Sequence, residues 1–178
     1  IATSASIQLM KYRDLCFKKK WIGEYSNGIG YGNISQKTST NKFVISSTQT
    51  GGVPLATEEH FSEVNDYSID HNWIKSSGIK PASSEALTHA AIYQISSKFS
   101  AIIHIHNQAL WKQYLFKNPT TSPETPYGTP EMAQEMLTLH HKKPQERCFI
   151  MAGHEEGIIA FGESLDIAYQ SLLKLEKN

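Results

Sequence analysis

The sequence predicts a three-layer α/β domain, a β-sheet covered by helices on both faces. Three observations carry this: amphipathic helical patterns at both ends and in the middle of the chain, short β-branched runs between them, and glycine, proline or serine at the junctions. With 178 residues, 39% of them hydrophobic, the chain can bury one sizeable core. No repeat, low-complexity tract or linker divides it, so residues 1–178 are read as one domain.

From Ser6 to Trp21, Ile7, Leu9, Met10, Leu15, Phe17 and Trp21 alternate at helical spacing with Lys11, Arg13, Asp14 and Lys18 to Lys20. This predicts a first helix whose basic residues form a solvated face. Gly28 to Ser35 reads as a glycine-rich turn entering a short strand. A strand follows at Phe43 to Ser46, then a loop around Thr50-Gly51-Gly52. Phe61 to Ile74 alternates in part and predicts one or two strands. After Pro81, Ser83 or Ser84 offers an N-cap for a helix from Glu85 to about Lys98.

The apolar run Ala101-Ile102-Ile103-His104-Ile105-His106 is a buried strand. A short helix is expected at Ala109 to Phe116, a proline-rich loop from Asn118 to Pro130, and a helix from Thr129 to His141. Strands at Cys148 to Ala152 and Gly157 to Phe161 precede a last helix from Ser164 to Leu175.

Lys plus Arg and Asp plus Glu both number 17, so no charge excess draws the chain to nucleic acid or an anionic membrane. Ile1 to Ser6 has neither the charged leader nor the apolar run of a secretory signal, and no segment reaches the ~20 apolar residues that span a bilayer. Cys16 and Cys148 make no disulfide framework and read as core residues, which favours a reducing, cytoplasmic setting.

Chemistry concentrates on His104 and His106. In a strand, residues i and i+2 project from one face roughly 6.6 Å apart, so both imidazoles can reach one ion. Core histidines satisfied by hydrogen bonds are the alternative reading. A catalytic zinc takes three protein ligands and leaves a position open. His154, at a strand end between Gly153 and Gly157, is the best third donor, with His89 the runner-up. His60, His71, His140 and His141 fall at surface or helix-end positions. Glu85 begins its helix beside two hydroxyls and free backbone amides, which is either simple capping or a carboxylate set in an anion-friendly corner.

Several motifs follow in order: Gly32-Asn33-Ile34-Ser35, Thr50-Gly51, Lys80-Pro81 leading to Ser83-Ser84-Glu85, His89 and Tyr93 at helical spacing, the His104/His106 pair, Pro126 to Glu131, and Gly153-His154-Glu155-Glu156-Gly157. From about Leu15 to Leu175 this resembles the class II aldolase/adducin family of sugar-phosphate aldolases, epimerases and dehydratases. The resemblance implies a central mixed, largely antiparallel sheet flanked by helices and a zinc ion, or another divalent transition metal, on His104, His106 and His154. It also implies Glu85 as acid/base, with Asn33, Gly51, Ser83 and Ser84 holding the phosphate of a sugar phosphate. The implied reaction is retro-aldol cleavage of a ketose phosphate through a metal-stabilised enediolate, in a homotetramer with sites at subunit boundaries.

Dehydration, epimerisation or decarboxylation on the same chemistry is the alternative, as is a binding protein with a structural zinc. The adducin branch lacks the metal histidines, and this chain keeps all three. It departs from the aldolases at Ala82, which lengthens the approach to Ser83, at Gly30, where they place a hydroxyl residue, and in a shortened stretch from His106 to Tyr127. It also ends at Asn178 without the tail that carries their catalytic tyrosine, leaving Tyr114 or Tyr127 as substitutes.

Overall fold

Alternation along one strand organises the molecule. In a computed structural model that describes residues 5–177, residues 101–106 form a fully buried strand at the centre of the sheet. Residues 1–4, part of the stretch read for a leader, and Asn178 lie outside the described residues. The elements run α1 (Ile7–Lys18), β1 (Gly23–Glu24), β2 (Gly30–Tyr31), β3 (Asn33–Ser39), β4 (Lys42–Ser46), β5 (Phe61–Ser68), β6 (Trp73–Gly78) and α2 (Ala86–Ile95). They continue with β7 (Ala101–His106), α3 (Gln108–Tyr114), α4 (Pro130–Lys142), β8 (Cys148–Ile150), β9 (Gly157–Gly162) and α5 (Leu165–Lys177).

Strands β3 to β9 make one seven-stranded sheet in the order β6-β5-β4-β3-β7-β9-β8, and β1 pairs with β2 as a separate ribbon. Every neighbouring pair in the sheet is antiparallel. Among the described residues the only parallel pairing is the isolated bridge from Thr120 to Ile150, so the sheet is more uniformly antiparallel than the mixed arrangement expected.

Each face of β7 joins a different core. Ala101, Ile103 and Ile105 pack with Leu9 and Cys16 of α1 and with Leu165, Ala168 and Leu172 of α5. Ile102 faces the other way, into a cluster with Ala90 and Ile92 of α2, Met132 and Met136 of α4, and Ile159 and Phe161 of β9. By the same alternation His104 and His106 continue the face of Ile102. Burying each large aliphatic side chain is worth about 1.5–3 kcal/mol. A one-residue slip would drive the histidines into the α1/α5 core, so packing fixes their direction.

Local chemistry refines the expected boundaries. The Ser6 hydroxyl accepts from the Leu9 amide and caps α1, which stops at Lys18 because Lys20 takes a left-handed φ of 58° and turns Trp21 into the core. Phe61 to Ile74 resolves into β5 and the start of β6, turning at Asn72 with φ 52°. Glu85 itself occupies the N-cap position of α2, where Ser83 or Ser84 was expected, and the helix ends at Ile95, short of Lys98. The helix expected from Thr129 begins at Pro130, and Thr129 is its cap: the hydroxyl accepts from the Met132 amide at 3.2 Å. Both cysteines are buried free thiols.

One expectation is overturned. Arg13 does not belong to a solvated face; it is 1% exposed. Its guanidinium donates to the carbonyls of Thr50 at 2.7 Å and Gly51 at 3.0 Å, and to that of Val53, with Asp14 beside it at 3.3 Å. Lys11, Lys18, Lys19 and Lys20 do remain exposed, because α1 turns only one polar side chain inward.

Candidate active site

A cleft of about 380 Å³ opens where β3 begins and β7 ends, beside the start of α2. The eight residues to which the family resemblance gives a role line it: Asn33, Gly51, Ser83, Ser84, Glu85, His104, His106 and His154. At its foot the three histidine rings converge, with centroids 4.6 to 5.1 Å apart. One nitrogen from each lies within 4.8 Å of the others. His104 and His106 come from β7, and His154 from the loop between β8 and β9. Gly157 keeps the space open: a Cβ there would stand 3.2 Å from His104 Nε2 and 2.8 Å from the His154 carbonyl.

The trio has the electronic character of ligands. His104 Nε2, His106 Nε2 and His154 Nδ1 are buried without a hydrogen-bond partner, as are both carboxyl oxygens of Glu85. Desolvation, then the neighbouring histidines, hold His104 well below its ordinary pKa. Burial lowers His106 to about 4 and, with His106 nearby, His154 to about 3. All three are therefore neutral near pH 7, the form a cation requires. Orphaned buried polar atoms are costly, and a divalent ion is the partner that would satisfy three imidazole nitrogens at once.

Glu85 is 2% exposed, and burial pushes its carboxyl up to about 8. One of its oxygens lies 3.6 Å from His154 Nδ1. The Ser83 hydroxyl accepts from the Glu85 amide at 3.3 Å, and the Glu85 carbonyl accepts from the His89 amide at 3.2 Å, so the first turn of α2 fixes the carboxylate over the histidines.

Groups behind the strand histidines set their orientation. The Tyr25 hydroxyl donates to Glu156 at 2.6 Å and lies 2.8 Å from His106 Nδ1. Its single hydrogen being committed, it accepts from Nδ1–H and leaves His106 Nε2 bare. Asn33 is the cross-strand partner of His104, and its carboxamide lies 3.1 Å from His104 Nδ1 on one side and 2.7 Å from His89 Nε2 on the other. His89 Nδ1 and the Tyr93 hydroxyl each lie 2.7 Å from the Ser35 hydroxyl. His89, the runner-up ligand, thus has both nitrogens occupied away from the trio.

The Thr50–Gly51 loop closes the other side of the cleft. Gly51 has no room for a side chain, since a Cβ would fall 2.0 Å from the Gly23 carbonyl. Arg13 draws the carbonyls of Thr50 and Gly51 inward; across a planar trans peptide, the following amides point away from it. The described cleft lining contains no lysine or arginine.

Of the two tyrosines considered, Tyr127 lines the cleft and stacks on His154 at 4.3 Å, whereas Tyr114 donates to the Leu175 carbonyl. His71 and His141 are exposed and His60 is half-buried; His140 is half-buried as well, with its ring edge on Phe99.

Sequence reading missed Tyr25 and Glu156. Asn27-Gly28 is a hairpin-turn signal, and reading it would have brought Tyr25 back beside Tyr31 on the β1–β2 ribbon, where the rings lie 4.5 Å apart. Glu156 carries a left-handed φ of 68° that nothing in its neighbourhood announces.

The architecture is that of the class II aldolases. L-fuculose 1-phosphate aldolase superposes with a TM-score of 0.72 at 20% identity, covering 97% of this chain and 84% of that one. YgbL from Escherichia coli gives 0.70 at 17% identity over 96% and 84%. L-fuculose-1-phosphate aldolase from Thermus thermophilus gives 0.66 at 19% over 95% and 87%. No curated protein sequence matches significantly. The family model for the class II aldolase and adducin N-terminal domain matches residues 16–112, more than half of the chain. The chain belongs to the class II aldolase/adducin family. No helix among its described residues is long and apolar enough to cross a membrane.

Proposed function

We propose that this chain is a metal-dependent aldehyde-lyase that cleaves a ketose phosphate, or a related sugar, by retro-aldol chemistry. One observation carries the proposal: three neutral imidazoles and a buried carboxyl, all with unpartnered polar atoms, face one another at the foot of a cleft large enough for a sugar phosphate. His104, His106 and His154 would hold the ion, zinc being favoured by three nitrogen donors, with another divalent transition metal as the alternative. When bound, it would polarise the ketone, stabilise the enediolate's charge and draw Glu85 back toward its ionised form.

Glu85 takes the hydroxyl proton from the carbon beyond the scissile bond. The C–C electron pair passes into the ketone-bearing fragment as an enediolate, and an aldehyde leaves. The same carboxyl returns the proton to the enediolate carbon, giving dihydroxyacetone phosphate with no other reactant. Asn33, Gly51, Ser83 and Ser84 hold the phosphate with amides and hydroxyls. Tyr127 reaches the aldehyde oxygen. In keeping with the family reading, the working unit is a homotetramer.

The test is a panel of ketose phosphates and unphosphorylated sugars assayed for aldehyde release, with metal content measured alongside. Glu85→Gln keeps its zinc and loses turnover, whereas His104→Ala loses both. Native turnover by Glu85→Gln would remove Glu85 from the reaction, and products of dehydration or epimerisation would replace the lyase assignment.

A further inference from the structure

The three histidines of the cleft are not held alike. His104 Nδ1 lies 3.1 Å from the Asn33 carboxamide nitrogen, and His106 Nδ1 lies 2.8 Å from the Tyr25 hydroxyl. His154 has no such tether among the described residues. Its Nδ1 is buried without a hydrogen-bond partner, and the Glu85 oxygen 3.6 Å away is beyond a good hydrogen bond. Rotation of an imidazole about its Cβ–Cγ bond has a broad torsional profile, so backbone position alone does not set the ring plane. The ring of Tyr127 does. It lies on the face of His154 with centroids 4.3 Å apart and planes 25° from parallel, whereas His104 and His106 meet the same ring at 51° and 80°.

Tyr127 is itself fixed on both sides. Gly128 takes a left-handed φ of 67°, and a Cβ there would stand 2.9 Å from the Ser84 carbonyl, so the chain after Tyr127 rests on the turn that carries Glu85. A Cβ on Gly153 would collide with the Thr125 carbonyl, so the residue before His154 lies against the chain before Tyr127. The Thr129 hydroxyl donates to the Pro126 carbonyl at 2.7 Å and closes the turn. Residues 125–128 thereby strap the third histidine to the carboxyl.

We infer that Tyr127 is a positioning residue for His154: the face of its ring holds the imidazole plane in the orientation a cation needs, and its hydroxyl is left for the substrate. The inference rests on the metal reading above. It makes the flat ring, not the hydroxyl, the part of Tyr127 that metal binding requires.

The experiment compares wild type with Tyr127→Phe, which keeps the ring, and Tyr127→Leu, which keeps an apolar side chain without a flat face. Zinc affinity is measured by chelator competition, the visible spectrum on cobalt-substituted protein, and the urea midpoint on metal-free protein. Tyr127→Phe should bind zinc within about twofold of wild type with the same cobalt spectrum. Tyr127→Leu should bind it about fivefold more weakly with an altered spectrum, the loss expected of a missing ring stack. The three midpoints should coincide, because Tyr127 is 53% exposed. Wild-type affinity and spectrum in Tyr127→Leu, an equal loss in Tyr127→Phe, or a lowered midpoint that accounts for the loss overturns the inference and leaves the metal reading standing. Wild-type protein that binds no zinc overturns both.

Discussion

His104 and His106 are two residues apart on the same strand, yet the groups behind them belong to different environments. Behind His104 the path through Asn33, His89, Ser35 and Tyr93 is buried throughout, with no member more than 4% exposed. Behind His106 stand Tyr25, 38% exposed, and Glu156, whose side chain is 24% exposed. A buried donor or acceptor that loses its partner keeps its full desolvation penalty, about 1–3 kcal/mol each, whereas water can take the place of a lost partner at the cleft mouth. The first arm should therefore couple metal binding to folding, and the second should tune metal binding alone.

The largest effect is expected from cutting the buried arm at its centre. His89→Leu strands the Asn33 carboxamide and the Ser35 hydroxyl, and should lower the unfolding free energy of metal-free protein by about 3 kcal/mol in a urea titration. Acid sharpens the point. Burial lowers His89 to about 3, against an ordinary value of about 6.5. Between those values the unfolded chain binds the extra proton, so the contribution of neutral His89 is complete above pH 6.5 and is lost as pH falls toward 3. His89→Gln, with no such proton to take up, should trail metal-free wild type by about 2 kcal/mol at pH 7.5, draw level near about pH 5 and be the more stable of the two by about pH 4. A gap of the same size and sign at all three pH values would show that His89 is protonated inside the fold.

Cutting the exposed arm should do less. Tyr25→Phe removes the acceptor of His106 Nδ1–H and should weaken zinc about tenfold, with unfolding free energy changed by less than about 1 kcal/mol. If it destabilised the metal-free protein as much as His89→Leu, the contrast between the arms would be lost. The smallest change is expected from Glu156→Gln, about twofold in zinc affinity, because the amide oxygen still accepts from the Tyr25 hydroxyl. A larger loss than that of Tyr25→Phe would mean that Glu156 acts on His106 directly, across the 3.8 Å between them.

The parts of the site legible in the sequence are those governed by a period. Two-residue spacing put His104 and His106 on one face, and four-residue spacing put His89 and Tyr93 on one side of a helix. Pro81 followed by serines marked where α2 begins, although the cap is Glu85 and not one of those serines. What spacing could not supply is which residues from other elements meet that face. His89 was read as a spare ligand because nothing local says that Asn33, across the sheet from His104, stands between the two rings. The same limit hid Tyr25, on a ribbon of two-residue strands too short to show alternation, and Arg13, whose basic neighbours in sequence argued for solvent. Its three acceptors are carbonyls some forty residues further on, and main-chain acceptors leave no trace in composition.

The grip of Arg13 on the Thr50 to Val53 carbonyls makes the opening helix a structural tenant of the cleft, although no residue of α1 lines it. A shortened chain beginning after Lys18 would still carry the strand histidines, but its Thr50–Val53 loop would be left with three main-chain oxygens facing an empty socket. The protein is in this sense indivisible: its amino-terminal turns are a foundation for the chemistry, and trimming them should be felt first in how well the cleft retains a charged sugar.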